Sequence, residues 1–176
     1  LIEINSSSAD GYYNLGNLYN DIDKFDDALV NYTKALELNP NFDSAYNYLG
    51  SVYHKQYKFD DAIINYKKAI ELKPDYSEAY FNLGITLYAQ NKTEQALENY
   101  KKALKLKSDY FEVYNNLGTI SQSLGEIDQA EKNYKKAIEL KPNFAEAHYN
   151  LSNIKTYKDK DNQFNQMKDL SLDKDL

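Results

Sequence analysis

The chain has 176 residues, of which 42% are hydrophobic and 14% aromatic, so it can bury a core and is not a disordered segment. It contains no cysteine, which excludes a disulfide framework, and every basic side chain other than histidine is lysine. Its net charge of −6 argues against nucleic-acid binding, and no apolar run or leader indicates a membrane. We therefore predict a cytoplasmic protein without nucleic-acid or membrane partners.

A period of 34 residues runs along most of the chain. Glycine recurs at 16, 50, 84 and 118, alanine at 28, 62, 96 and 130, and tyrosine at 32, 66, 100 and 134. Proline closes three of the units at 40, 74 and 142, and Ser108 closes the other. A fixed period of this length indicates an array of stacked repeats.

The period divides the chain into seven segments. Residues 1–8 match the end of a unit, so we predict that they are the tail of a preceding repeat and that the chain is a fragment of a longer array. Four full repeats follow at 9–42, 43–76, 77–110 and 111–144, and residues 145–158 are predicted as the first helix of a fifth, incomplete repeat. The period fades after Tyr157, and we predict a capping helix or tail over 159–176.

Each repeat is predicted to form two helices. In the second repeat, Tyr46, Leu49 and Tyr53 form one apolar stripe of helical spacing, and a second stripe begins at Phe59. Helix starts are predicted at three Asx-x-x-Glu capping boxes, which span 75–78, 109–112 and 143–146.

The pattern Tyr12-x-x-Leu15-Gly16-x-x-Tyr19, followed by Ala28, Tyr32, Ala35 and Pro40, resembles the tetratricopeptide repeat. This resemblance implies an all-α fold, a right-handed superhelical solenoid of antiparallel helix pairs. It also implies a concave groove lined by the first helix of each repeat.

By the same resemblance, the groove is lined by amide and aromatic side chains with almost no charge. The candidate peptide-binding residues are Tyr13, Asn14, Asn17, Asn47, Tyr48, Ser51, His54, Phe81, Asn82, Ile85, Tyr88, Asn115, Asn116, Thr119, Gln122, Tyr149, Asn150 and Asn153. Asparagine both donates and accepts hydrogen bonds, so a row of asparagines can pair with the backbone of an extended peptide.

One such row comprises Asn14, Asn82, Asn116 and Asn150, with Tyr48 interrupting it. It is similar to the asparagine ladder in the repeats of O-linked N-acetylglucosamine transferase, which holds substrate peptides. The alternative is that these asparagines are solvated polar residues in a chain whose composition is rich in Asn, Lys and Tyr. Glu78 and Glu112 stand where chaperone-tail receptors of the family carry the cations that grip a terminal carboxylate, so that class of ligand is not expected.

No metal, cofactor or catalytic site is predicted. His54 and His148 are far apart in the array, and His148 occupies a packing position, so we predict a core role for it rather than metal ligation. The carboxylates occur at helix starts and on outer faces, where capping and solvation explain them without acid–base catalysis.

The sequence therefore predicts a non-enzymatic module that binds an extended segment of a partner protein or peptide. The alternative is the substrate-recruiting region of a glycosyltransferase or sulfotransferase whose catalytic domain lies outside this chain. The stretch 145–176, "AEAHYNLSNIKTYKDKDNQFNQMKDLSLDKDL", resembles the junction between repeats and enzyme domain in bacterial repeat-sulfotransferase fusions. Self-association through exposed repeat ends is a further possibility, because the end of a stack exposes apolar surface.

Overall fold

The computed structural model of the chain describes residues 8–154 and 156. All regular secondary structure in this part of the chain is α-helical, which confirms the predicted all-α class. The predictions for the chain start through residue 7, for residues 155, 157 and 158 of the fifth repeat, and for the 159–176 tail lie outside the described residues. The described chain divides into two compact units, residues 1–108 and 109–176.

The first unit contains three helix pairs. Their bounds are α1 Ala9–Asp21 with α2 Phe25–Leu38, α3 Asp43–Lys55 with α4 Phe59–Leu72, and α5 Ser77–Ala89 with α6 Thr93–Leu106. The members of a pair run antiparallel, since Nζ of Lys34, late in α2, lies 5.4 Å from the ring centroid of Tyr12, early in α1. Successive pairs also pack together, through α2 on α3 and α4 on α5.

The second unit contains the helix pair α7 Phe111–Ser123 and α8 Ile127–Leu140, followed by α9 at residues 145–154. Its core contains Ala130, Tyr134 and Ile154, with Ile127 and Leu151 packed against them. Because Ile154 lies on α9, this cluster fixes α9 against α8.

A glycine and a tyrosine hold the two helices of each pair close together. The tyrosines of the second helices, Tyr32, Tyr66, Tyr100 and Tyr134, are at most 2% exposed. Each ring lies against the glycine of the first helix, so that a Cβ added to Gly84 would be 2.5 Å from Cε1 of Tyr100. The recurrence of glycine and tyrosine in the sequence is therefore a packing pattern, in which the small residue leaves room for the large one.

The turn inside each pair requires one residue in the left-handed backbone region. Asp23, Tyr57, Asn91 and Gly125 occupy this position, with φ between 56° and 77°. The N–H of Lys24 donates to the carbonyl of Tyr19, a bond that closes the end of the first helix as in a Schellman motif. The turn therefore recurs at the same place in every pair, although only one of the four residues is glycine.

Candidate functional site

The first helices of unit 1 lie side by side, because α1 contacts α3 and α3 contacts α5. We call the surface that carries their predicted groove residues the first-helix face. On it, Asn14 is exposed, and the half-buried predicted residues are Tyr13, Asn17, Tyr48, Ser51, His54, Phe81, Asn82, Ile85 and Tyr88. Asn47 is the exception, since it is only 1% exposed.

Asn47 is the centre of a hydrogen-bonded cluster that links the second and third repeats. Its Nδ2 donates to Oε1 of Glu78 at 3.1 Å and to the hydroxyl of Tyr76 at 3.3 Å. Its Oδ1 accepts a bond of 3.0 Å from Nδ2 of Asn82. An ionised carboxylate can only accept, so the nitrogen of Asn47 faces Glu78 and its oxygen faces Asn82. Asn47 therefore fixes the orientation of its neighbour instead of lining the surface.

The same cluster recurs in unit 2. Asn115, also 1% exposed, donates from Nδ2 to Oε1 of Glu146 at 2.9 Å. Its Oδ1 accepts from Nδ2 of Asn150 at 3.1 Å. In both clusters the side-chain nitrogen of the outer asparagine, Asn82 or Asn150, donates to the buried asparagine. Within the described part of the chain, no donor occupies Oδ1 of Asn82 or Asn150, so this oxygen remains available as an acceptor.

The capping boxes predicted at 75–78 and 109–112 are wrong. The N-cap residues of α5 and α7 are Tyr76 and Tyr110, and neither makes a side-chain capping hydrogen bond. Glu78, which the capping box assigns to the helix start, instead accepts from Asn47 of the preceding repeat. The buried amide of Asn47 needs an acceptor, and this requirement determines where the carboxylate lies.

Several polar groove residues bind the hydroxyls of the buried tyrosines. Tyr32 donates to Oδ1 of Asn17 at 2.7 Å, and Tyr134 donates to Oε1 of Gln122 at 2.9 Å, with Oγ1 of Thr119 at 3.3 Å. These bonds satisfy phenol groups that would otherwise be buried without a partner. Asn17, Thr119 and Gln122 are therefore tied to the core while they lie on the predicted binding surface.

His54 belongs to a polar chain that reaches Asn82. Its Nδ1 lies 2.9 Å from Oγ1 of Thr86, and the hydroxyl of Thr86 donates to the carbonyl of Asn82 at 2.9 Å. Because the threonine proton is used in that bond, Nδ1 of His54 carries the proton and donates to Thr86. Burial lowers the pKa of His54 below its ordinary value of 6.5, so the imidazole is neutral at pH 7 and presents Nε2 as an acceptor.

Aromatic rings form a second part of the first-helix face in unit 1. The rings of Tyr13 and Tyr48 meet edge to face at 5.7 Å, and Phe42 lies 4.8 Å from Tyr13. The ring of the buried Tyr32 packs against this group, with its centroid 6.0 Å from that of Tyr13 and 6.3 Å from that of Tyr48. Tyr13 and Tyr48 are half-buried, so neither belongs entirely to the core.

Two carboxylates act on Tyr48, and a lysine lies over the neighbouring Tyr76, with Nζ of Lys73 4.9 Å from its ring centroid. Burial is the largest cause that raises the pKa of Tyr48, and the carboxylates of Glu78 and Asp21 raise it further. Burial likewise raises the pKa of Tyr76 to about 12, and Glu78 adds to this effect. The phenols of Tyr48 and Tyr76 are therefore neutral at pH 7. The sequence placed Glu78 at a groove position, but it did not indicate that Asp21 also acts on Tyr48.

The remaining predicted residues of unit 2 differ in exposure. Tyr149 is 68% exposed, Asn153 is exposed, and Asn116 is half-buried. The predicted core role of His148 is wrong, because its side chain is exposed and its Nε2 bonds the carbonyl of Pro142 at 2.8 Å. This position of α9 does not face the core, and the imidazole instead bonds a carbonyl of the turn that precedes the helix.

Within residues 8–154 and 156, no group of three His, Asp or Glu side chains could hold a metal ion. None of the helices described is both long enough and apolar enough to cross a membrane.

Family models for the tetratricopeptide repeat match residues 9–42, 41–109 and 111–144. The chain belongs to the tetratricopeptide repeat family. The recurrent Gly–Tyr packing and the paired helices are thus those of tetratricopeptide repeats, as the sequence resemblance predicted. No curated protein matches the chain.

Solved tetratricopeptide structures resemble the chain over most of its length. YrrB, a TPR protein with an unusual peptide-binding site, is 28% identical, with 90% of this chain and 81% of that chain covered and a TM-score of 0.67. The first TPR of Spaghetti (RPAP3), bound to the HSP90 peptide SRMEEVD, is 31% identical, with 71% and 99% covered and a TM-score of 0.65. Pseudomonas aeruginosa pilF is 26% identical, with 87% and 69% covered and a TM-score of 0.79.

Proposed function

We propose that this chain is a non-catalytic interaction module that binds an extended segment of a partner protein along the first helices of its repeats. The family supports a role in protein interaction, and two of the similar structures are described with a peptide or a peptide-binding site. The alternative of a recruiting region in a transferase has no comparable observation in its favour.

The observation that carries the proposal is the fixed orientation of Asn82 and Asn150. Each side-chain nitrogen is bonded to a buried asparagine, and each oxygen remains as an acceptor. An extended peptide presents backbone N–H groups at regular intervals, and such groups are the donors that these oxygens lack. Since the side chains are already ordered, little conformational entropy is lost when they bind.

The proposal is tested with peptides selected from a random twelve-residue display library on the intact chain. We expect the Asn82→Ala/Asn150→Ala variant to bind the selected peptides about tenfold more weakly, because each lost hydrogen bond weakens the complex. The matched control is Asn65→Ala/Asn133→Ala, which changes the asparagine before the core tyrosine in one second helix of each unit. The helical signal in circular dichroism shows whether the variants remain folded.

The control should bind the peptides as the unmodified chain does. Equal binding by the Asn82→Ala/Asn150→Ala variant would remove these two asparagines from the site. A library that yields no binding peptide at all would contradict the proposed function itself.

A further inference from the structure

Two tyrosine rings and two carboxylates of unit 1 favour a positively charged side chain in the partner segment. Tyr13 and Tyr48 are half-buried and in contact with each other, and the electron-rich face of a tyrosine ring attracts cations. Asp21, at the end of α1, and Glu78, in the first turn of α5, both act on Tyr48. Two negative charges from different repeats therefore act on Tyr48.

These carboxylates have no cation of their own in the described structure. The ion pairs found there, Lys68–Glu71, Lys135–Glu131 and Lys136–Glu139, involve neither Asp21 nor Glu78. Glu78 uses Oε1 to accept from Asn47, which is a neutral donor. The negative charge of Glu78 is thus held in place but is not neutralised.

Two lysines near this surface already contact other aromatic rings. Nζ of Lys73, which precedes Glu78 in the sequence, lies 4.9 Å from the ring centroid of Tyr76. Nζ of Lys55 donates to Oδ1 of Asn20 at 3.0 Å and lies 5.3 Å from the ring centroid of Phe25. This contact within the chain shows the same chemistry, in which a cation bonds an amide oxygen and lies over an aromatic face. At Tyr13 and Tyr48 the ring faces, the amide oxygen of Asn82 and the Glu78 carboxylate are present without such a cation.

We infer that the first-helix face of unit 1 binds a lysine or arginine side chain of the partner segment, with its aliphatic part on Tyr13 and Tyr48 and its charged head toward Glu78 and Asn82. This inference rests on the proposed function and adds the chemical class of the bound segment. The same carboxylates repel a segment that ends in acidic residues, so the partner differs from an acidic chaperone tail.

The test uses the tightest peptide from the library selection. We expect selected peptides to share a lysine or arginine at one position. Replacing that arginine by citrulline, or that lysine by norleucine, removes the charge and should weaken binding about tenfold, the effect of losing a desolvated contact between a cation and an aromatic ring together with a charge pair.

The protein variant is Glu78→Gln, which keeps an oxygen to accept from Asn47 but removes the charge. In this variant the charged and uncharged peptides should bind with nearly equal affinity, and Asp21→Asn should reduce the difference in part. Glu71→Gln, on the outer face and paired with Lys68, is the matched control and should retain the full tenfold preference.

The outcomes distinguish failure of this inference from failure of the proposed function. Selected peptides that need Asn82 but contain no cation, or a preference for the charged peptide that survives Glu78→Gln, would overturn the inference and leave the proposed function standing. The absence of any selected peptide would overturn both.

Discussion

Replacing Gly84 by leucine should destabilise the first unit by about 3 kcal/mol or more, at the upper end of the cost of overpacking. The Cβ alone would lie 2.5 Å from Cε1 and 2.7 Å from Cδ1 of Tyr100, which is 1% exposed. Ala96 and Ala103, on the same helix one turn before and after that tyrosine, are fully buried, so the ring lies on the core side of the helix. Chemical denaturation followed by circular dichroism measures the effect.

A second substitution tests whether this loss of stability comes from the contact between residues 84 and 100. Tyr100→Ala alone should also destabilise the chain, because it leaves a cavity that costs about 3–5 kcal/mol. Combined with Gly84→Leu, it provides the space that leucine needs, so the double variant should lose much less than the sum of the two single losses. Additive losses would show that residues 84 and 100 do not determine the spacing of the helices.

Asn47→Ala should destabilise the chain by roughly 2–4 kcal/mol, because it removes the partner of three polar groups around a buried position. These groups are the hydroxyl of Tyr76, Oε1 of Glu78 and Nδ2 of Asn82. Thermal melting of the variant measures the loss. The matched control is Asn14→Ala, at an exposed asparagine of the first helix, which should change stability by less than about 0.5 kcal/mol.

Equal melting temperatures for Asn47→Ala and Asn14→Ala would contradict the assignment of Asn47 to the core. A loss confined to Asn47→Ala would support it. Asn115→Ala should behave as Asn47→Ala does, since Asn115 is buried to the same extent and bonds Glu146 and Asn150.

The sequence predicts the helix pairs well because the same packing problem recurs in every repeat. A second helix that carries a large tyrosine requires a small residue opposite it, and the pairing of Gly16 with Tyr32 recurs at Gly50 with Tyr66 and at the later pairs. Apolar periodicity reports this packing directly, since the buried stripe of a helix must be apolar. The all-α class and the family therefore follow from the order of residues alone.

The arrangement of the candidate site is harder to predict, because its polar residues are divided between the surface and the core. Asn47 and Asn82 have the same residue type and occupy first helices, yet one is buried and the other half-buried. A buried amide depends on partners from the next repeat, at separations of 31 and 35 residues. A local pattern does not report such distant partners.

A signal for this cluster was present in the sequence nonetheless. Asn47 is followed by Glu78 and Asn82, and Asn115 is followed by Glu146 and Asn150 at the same separations. Tyr13, at the equivalent place in the first repeat, is followed by Ser44 and Tyr48 instead. In the third repeat, Phe81 is followed by Glu112 and Asn116, so the glutamate and the outer asparagine also occur without the buried asparagine. The signal is therefore the buried asparagine itself, whereas the capping-box interpretation treated each glutamate separately.

The most direct test of peptide binding on the first helices is the response of the asparagine side-chain amides in a ¹⁵N-labelled sample. With the tightest selected peptide added, we expect the NH₂ resonances of Asn82, Asn116 and Asn150 to shift in proportion to the bound fraction. The resonances of Asn65 and Asn133, on second helices, should remain in place. Shifts confined to Asn65 and Asn133, with Asn82, Asn116 and Asn150 unchanged at saturation, would contradict binding on the first helices.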